Sequence, residues 1–176
     1  MAADFYRQIG IGVSSLTFGV ALSIFIYAVA SKTVTGFHAW LLFATSFLLM
    51  LRFWWRYNEL FVQNSPSRSF WHFMFDFLTA FFGILAVLLV NDIQTWALSG
   101  IAAMLASLIR CGLSWKEARI KKQLRATAIG AAAMAILLSV VYVLAFSYGA
   151  VNLAAGMLIL VIIFVVYSAT RKQSGQ

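Results

Sequence analysis

Residues 70–115 read FWHFMFDFLTAFFGILAVLLVNDIQTWALSGIAAMLASLIRCGLSW, which is two apolar runs joined at Asn91-Asp92-Ile93-Gln94. Each run is about 20 residues long, the length at which an α-helix crosses the hydrocarbon core of a bilayer. The link between the runs has room only for a tight turn. This segment therefore predicts an antiparallel hairpin of two membrane-spanning helices.

The whole chain of 176 residues divides into six such runs. Their approximate bounds are Ile9–Ser31, Phe37–Phe61, Phe70–Asn91, Gln94–Trp115, Leu124–Ser147 and Ala150–Thr170. The link at Tyr148–Asn152 is also very short, so a second hairpin is expected there. The first run is longer than a signal-peptide core, and no obvious cleavage site follows it. We expect one all-α domain of six transmembrane helices over residues 1–176, without a soluble domain.

Composition supports the same class of protein. Hydrophobic residues make up 63% of the chain and charged residues 10%, and the mean hydropathy is +0.92. A soluble domain has roughly 45–50% apolar and about 25% charged residues. A membrane β-barrel would alternate polar and apolar residues along each strand, and these runs do not.

The basic residues lie in alternate gaps between the runs. Arg52, Arg56 and Arg68 lie around the second gap, and the bases of Lys116–Arg125 occupy the fourth; the third gap has none. Lys32, in the first gap, is the single exception. Because cytoplasmic loops carry an excess of Lys and Arg, we expect both termini in the cytoplasm. The expected location is a prokaryotic inner membrane.

The formal net charge of +8 does not indicate nucleic-acid binding, because the bases flank membrane spans and no separate domain could hold a duplex. Anionic lipid head groups are the expected partner of such residues.

Small residues on the first run have two interpretations. Ser15, Gly19 and Ser23 recur every four residues and share one helix face. Such stripes usually mark close contacts between membrane helices. Alternatively, the hydroxyl groups line an aqueous pathway in a homo-oligomer, with Leu22 or Ile24 as a hydrophobic constriction. On the fourth run, Ser99, Ala103 and Ser107 have the same spacing and predict a helix contact.

Ionisable side chains inside a bilayer are costly, so each needs a partner or a function. We expect Asp76 to pair with Arg52 or Arg110, and Glu59 to pair with Arg56. The first of these pairs is either a structural ion pair or part of a functional site. The side chains near the interface could instead reach head groups or water. The predicted charge cluster comprises Arg52, Arg56, Glu59, His72, Asp76 and Arg110.

Aromatic residues are concentrated near the predicted cytoplasmic interface. An interfacial aromatic belt is the simplest interpretation, and a cage for a cation or substrate is the alternative. The residues that flank this interface are Trp54, Trp55, Tyr57, Phe70 and Trp71.

Two stretches resemble a known family. Ser46–Phe61 reads SFLLMLRFWWRYNELF and Phe70–Leu78 reads FWHFMFDFL. Together they resemble the bacterial relatives of the endolysosomal potassium channel, in which the second span ends in a Trp…Asn/His…Leu-Phe pattern and the third begins with a Trp. The resemblance implies a tetrameric six-span cation channel with the first span lining the pore. The family's Arg followed by Phe-Ser-Asp is missing, because Arg7–Phe18 reads RQIGIGVSSLTF.

These patterns predict a channel or transporter for small cations that forms a homo-oligomer. A membrane scaffold or partner subunit without transport activity is one alternative. A monomeric carrier of a small organic or lipid substrate, with a midplane pocket around Asp76 and Arg110, is another. With His38 and His72 on different spans and Cys111 as the lone cysteine, we expect no metal site, no cofactor and no enzymatic activity.

Overall fold

The computed structural model describes residues 2–62, 70–116 and 121–173, which fold as α-helices with no strand among them. The helices are α1 (Ala2–Ala30), α2 (Phe37–Tyr57), α3 (Phe70–Leu88), α4 (Ile93–Leu113), α5 (Lys121–Leu144) and α6 (Ala150–Gln173). A π-helical turn, Asn58–Val62, continues α2. The expected all-α class is thus confirmed.

Five stretches within these helices are long and apolar enough to cross a membrane. They are Phe37–Leu60, Trp71–Leu88, Ile93–Leu113, Lys121–Leu144 and Ala150–Tyr167. In α1, the apolar stretch within the described residues is the shorter Phe18–Ala30. Helices of this length and apolarity indicate an integral membrane protein. The expected bounds hold to within a few residues, except that α1 begins at Ala2 rather than near Ile9.

Asn91 and Asp92 shape the turn between α3 and α4. Asp92 caps α4, because its side chain accepts a hydrogen bond from the backbone N–H of Gln94 at 3.1 Å. Asn91 accepts a hydrogen bond from the backbone N–H of Thr35 at 2.9 Å and donates one to the carbonyl oxygen of Thr33 at 2.7 Å. The link between α1 and α2 is therefore held against the α3–α4 turn.

Helix α4 lies at the centre of the bundle. It packs along α3 on one side and along α5 on the other, whereas α6 packs along α2. The indole Nε1–H of Trp96, which is 2% exposed, donates to the Ser46 hydroxyl at 2.8 Å and so connects α4 with α2. Helix α1 packs against α2, α3 and the π-helical turn at the edge of the bundle.

Of the three small residues expected at a helix contact on α4, Ser107 is only half-buried. Ser99 and Ala103 are buried, and the Ser99 hydroxyl donates to the carbonyl oxygen of Phe82 on α3 at 2.8 Å. Between α5 and α6, a methyl group added at Gly130 would lie 3.5 Å from the Phe164 ring. Gly130 and Phe164 are about equally far along the sequence from the turn between the helices, so α5 and α6 are antiparallel. Helix α6 nevertheless packs more closely on α2 than on α5.

Gly100 provides a test of this packing. A Cβ atom there would lie 2.9 Å from a methyl carbon of Leu138, which is 1% exposed. We expect Gly100→Ala to lower the free energy of unfolding by about 1 kcal/mol or more through overpacking. The measurement is thermal unfolding in detergent.

Gly156→Ala on α6 is the matched control. Nothing lies within 4 Å of a Cβ atom at that position, so the higher helix propensity of alanine should leave stability unchanged or raise it by up to about 1 kcal/mol. Equal melting temperatures for the two variants would contradict the close α4–α5 contact.

Candidate functional site

A buried ion pair joins α3 and α4. The Arg110 Nε–H donates to the Asp76 carboxylate at 2.8 Å, and the two side chains are 2% and 9% exposed. This pairing was one of the two expected for Asp76. Because a lone charge in a low-dielectric interior is very costly, each of these residues needs the other to remain buried in its charged form.

Two hydroxyl groups also contact this ion pair. The Tyr57 hydroxyl donates to the second oxygen of Asp76 at 2.9 Å, and Arg110 donates through a terminal nitrogen to the Ser114 hydroxyl. Tyr57 is 7% exposed, so its expected place in the interfacial aromatic belt is wrong. A phenol ring at a predicted helix end resembles an interface anchor, and only the packing of α2 on α3 turns it inward.

A second ion pair lies within α2 and its π-helical turn, and its arginine also contacts α5. Arg56 donates to Glu59 at 2.8 Å, as the spacing of three residues predicts. Its Nε–H donates to the Thr127 hydroxyl at 3.2 Å, and its other terminal nitrogen donates to the Gln123 carbonyl oxygen at 3.4 Å. The α5 partners carry no charge, and the sequence offered no signal for them.

The remaining members of the predicted cluster are Arg52 and His72, both half-buried. His72 lies one helical turn before Asp76 on α3. The Nε of Arg52 is fully buried and has no hydrogen-bond acceptor among the residues that the structure describes. Arg52 is within electrostatic range of Arg56 and Glu59. We call the end of the bundle that holds these charges, together with Lys121, Lys122 and Arg125 at the start of α5, the basic end.

The predicted pathway residues lie apart from this cluster, on α1. Ser15, Gly19, Leu22 and Ser23 are exposed, and the Ser23 hydroxyl donates to the Gly19 carbonyl oxygen at 2.9 Å. Ile24 is half-buried and lies away from this face. The stripe is therefore not buried against any helix in the described part of the chain.

A small cavity of about 50 Å³ lies between α2, α3, α4 and α5. Its lining is mostly apolar, with the hydroxyl groups of Ser46 and Thr79 among the exceptions. Thr79 lies one turn beyond Asp76 along α3, so the cavity begins next to the ion pair. The Asp76 and Arg110 side chains, around which a carrier pocket was expected, are bonded to each other.

Within the described residues, no group of three or more His, Cys, Asp or Glu side chains could hold a metal ion. No family model, curated protein or solved structure matches this chain.

The two ion pairs should differ in how much they stabilise the fold. Asp76→Asn leaves the Arg110 charge buried without a counter-charge, which is expected to cost about 3–5 kcal/mol. Glu59→Gln is the matched control at a pair that is 21% and 16% exposed, and should cost about 1 kcal/mol or less. Unfolding in mixed micelles measures both free energies.

Tyr57→Phe removes one hydrogen bond to the carboxylate and keeps the ring, so an intermediate loss of about 1.5–3 kcal/mol is expected. If Asp76→Asn proves no more destabilising than Glu59→Gln, Asp76 does not stabilise the fold as a buried carboxylate.

Proposed function

We propose that the protein is an oligomeric membrane channel for small cations, with α1 as the sixth span and as the lining of the pathway. The proposed membrane is a prokaryotic inner membrane, with both termini cytoplasmic. The contacts of Arg56 with Thr127 and of Arg110 with Asp76 support this orientation. They bring basic residues from α2, α4 and α5 to one end of the bundle, as the excess of cytoplasmic Lys and Arg requires.

The observation that carries the proposal is the two-sided character of α1. One face buries Ala21, Phe25 and Ala28, which are 1%, 5% and 2% exposed, in the core of the bundle. The other face exposes Gly19 and Ser23, and nothing in the described part of the chain lies within 4 Å of a Cβ atom built at Gly19. In a ring of identical chains, such faces would meet around a common axis.

The chemistry of this face suits a small cation. The Ser23 hydroxyl donates a hydrogen bond to the Gly19 carbonyl oxygen, so the lone pairs of the hydroxyl oxygen remain available to accept a hydrogen bond or to coordinate a cation. Ser15 places a second hydroxyl two turns away on the same face. Oxygen ligands of this kind can replace part of the hydration shell of an ion in a pore.

Leu22 is the better candidate for the constriction. It is 39% exposed and shares the face of Ser15 and Gly19, as does Ile26, which is 62% exposed. Ile24 is half-buried and lies on the far side of the helix. A pore lined by this face would therefore place Leu22 and Ile26, one turn apart, at its narrow apolar section.

Substitution of Leu22 tests the pathway. In proteoliposomes, Leu22→Ala should raise the K⁺ or Na⁺ flux, because a shorter side chain weakens an apolar barrier that excludes water. Ile24→Ala removes a similar aliphatic side chain from the half-buried side of the same helix and should leave the flux unchanged.

The proposal fails if no gradient drives K⁺, Na⁺ or H⁺ through the reconstituted protein. Stable co-purification with a non-identical membrane protein, together with no flux, would support the scaffold or partner subunit instead.

A carrier of a small organic or lipid substrate is the second candidate, and the cavity beside Thr79 favours it. A Cβ atom at Gly83 would meet only the Met50 sulfur, at 3.8 Å, so Gly83→Val should fill this space. Loss of transport by that variant in a monomeric protein would indicate the carrier. Unchanged flux in an oligomer, with stability retained, would indicate the axial pore.

A further inference from the structure

The charges of the described parts of α2 to α4 and the π-helical turn do not balance at the basic end. Three arginines, Arg52, Arg56 and Arg110, face two carboxylates, Glu59 and Asp76. Asp76 is paired with Arg110 and Glu59 with Arg56, each at 2.8 Å. Arg52 is therefore a positive charge without an ion-pair partner among the described residues.

The Nε–H of Arg52 also lacks a hydrogen-bond acceptor among the described residues. This N–H group is enclosed. In water such a group would be solvated, but a membrane offers no water to a span, and an unsatisfied donor there costs several kcal/mol. The neighbouring Arg56 adds electrostatic repulsion, which Glu59 only partly offsets. A negatively charged group beside the exposed part of the side chain would offset the unpaired charge and this repulsion.

The position of Arg52 limits what that acceptor can be. It lies one helical turn further into the membrane than Arg56, about 6 Å along the axis, and its side chain remains partly exposed. Trp55, on the adjacent turn, is 58% exposed and has the amphipathic ring that favours head-group depth. An arginine at this depth extends its guanidinium toward the lipid phosphates.

We propose that Arg52 binds the phosphate of an anionic lipid at the basic end, with Arg56 supplying a second positive charge nearby. A guanidinium can donate two parallel N–H bonds to phosphate oxygens, which makes this pairing strong and directional. A free phosphate ion presents the same oxygens, so the experiment separates the two sources. The proposal does not depend on the proposed channel function.

The experiment uses the full chain in nanodiscs of phosphatidylcholine with increasing fractions of phosphatidylglycerol. Native mass spectrometry counts the retained phosphatidylglycerol molecules, and thermal unfolding reports the stabilisation that they bring. We expect Arg52→Gln to lose one retained lipid and to lower the apparent affinity about tenfold, as for the loss of one charge-assisted hydrogen bond. Arg52→Lys keeps the charge but not the planar guanidinium. Its apparent lipid affinity should lie between those of the native protein and Arg52→Gln.

Thermal unfolding in pure phosphatidylcholine shows whether each variant still folds when no anionic lipid is present. Because Arg52→Gln removes an unpaired charge, the variant should fold at least as well as the native protein in that lipid. Arg125→Gln is the matched control, since it removes an exposed arginine from the same end of the bundle. It should retain the bound lipid.

Inorganic phosphate added to phosphatidylcholine nanodiscs distinguishes binding of a lipid phosphate from binding of a free phosphate ion. If phosphate stabilises the native protein but not Arg52→Gln, and phosphatidylglycerol does not, the acceptor is a free ion and the lipid proposal is overturned. Equal loss of lipid by Arg52→Gln and Arg125→Gln would overturn it as well, since general surface charge would then explain the binding. Loss of oligomers by Arg52→Gln with unchanged lipid binding would assign the acceptor to a second copy of the chain.

Discussion

The ion pair between Arg110 and Asp76 is the interaction on which the arrangement of the central helices depends. Both side chains are almost fully buried, at 2% and 9% exposure, and neither could remain charged there alone. Their contact sets the position of α4 along α3. The Tyr57 hydroxyl, bonded to the same carboxylate, brings the end of α2 to the same point. Three helices thus converge on one carboxylate.

The rest of the bundle follows from this arrangement. With α4 held against α3, its Ser99 reaches the Phe82 carbonyl oxygen and its Trp96 reaches Ser46 on α2. Helix α5 packs on the remaining side of α4 and is joined to α2 through Arg56. Helix α1 contributes only one buried face, which leaves its hydroxyl-bearing face open. Among the described residues, the enclosed Nε–H of Arg52 and the indole Nε1–H of Trp54 have no hydrogen-bond acceptor.

The sequence predicted the ion-pair partners of residues that lie close together in the chain or that had few candidate partners. Arg56 and Glu59 are three residues apart on one helix, so spacing alone brings them together. Asp76 had only two plausible arginines, and the structure selects Arg110. Tyr57 was misplaced because burial of an aromatic residue near a helix end depends on the neighbouring helix. The closer packing of α6 on α2 than on α5 could not be expected either, because a short link predicts that two helices are antiparallel but not how closely they pack.

By itself, the sequence determined the helical class, the approximate ends of the apolar helices and the two hairpins. These properties depend on the length and spacing of apolar and charged residues along the chain, because the bilayer acts on each helix separately. Only the tertiary structure decided that Asp76 binds Arg110 and Tyr57, that no described residue accepts from the Arg52 Nε–H, and that Ser15, Gly19 and Ser23 are exposed in the described part of the chain. Those outcomes depend on the rotation and neighbours of each helix, which are set by contacts between residues far apart in the chain.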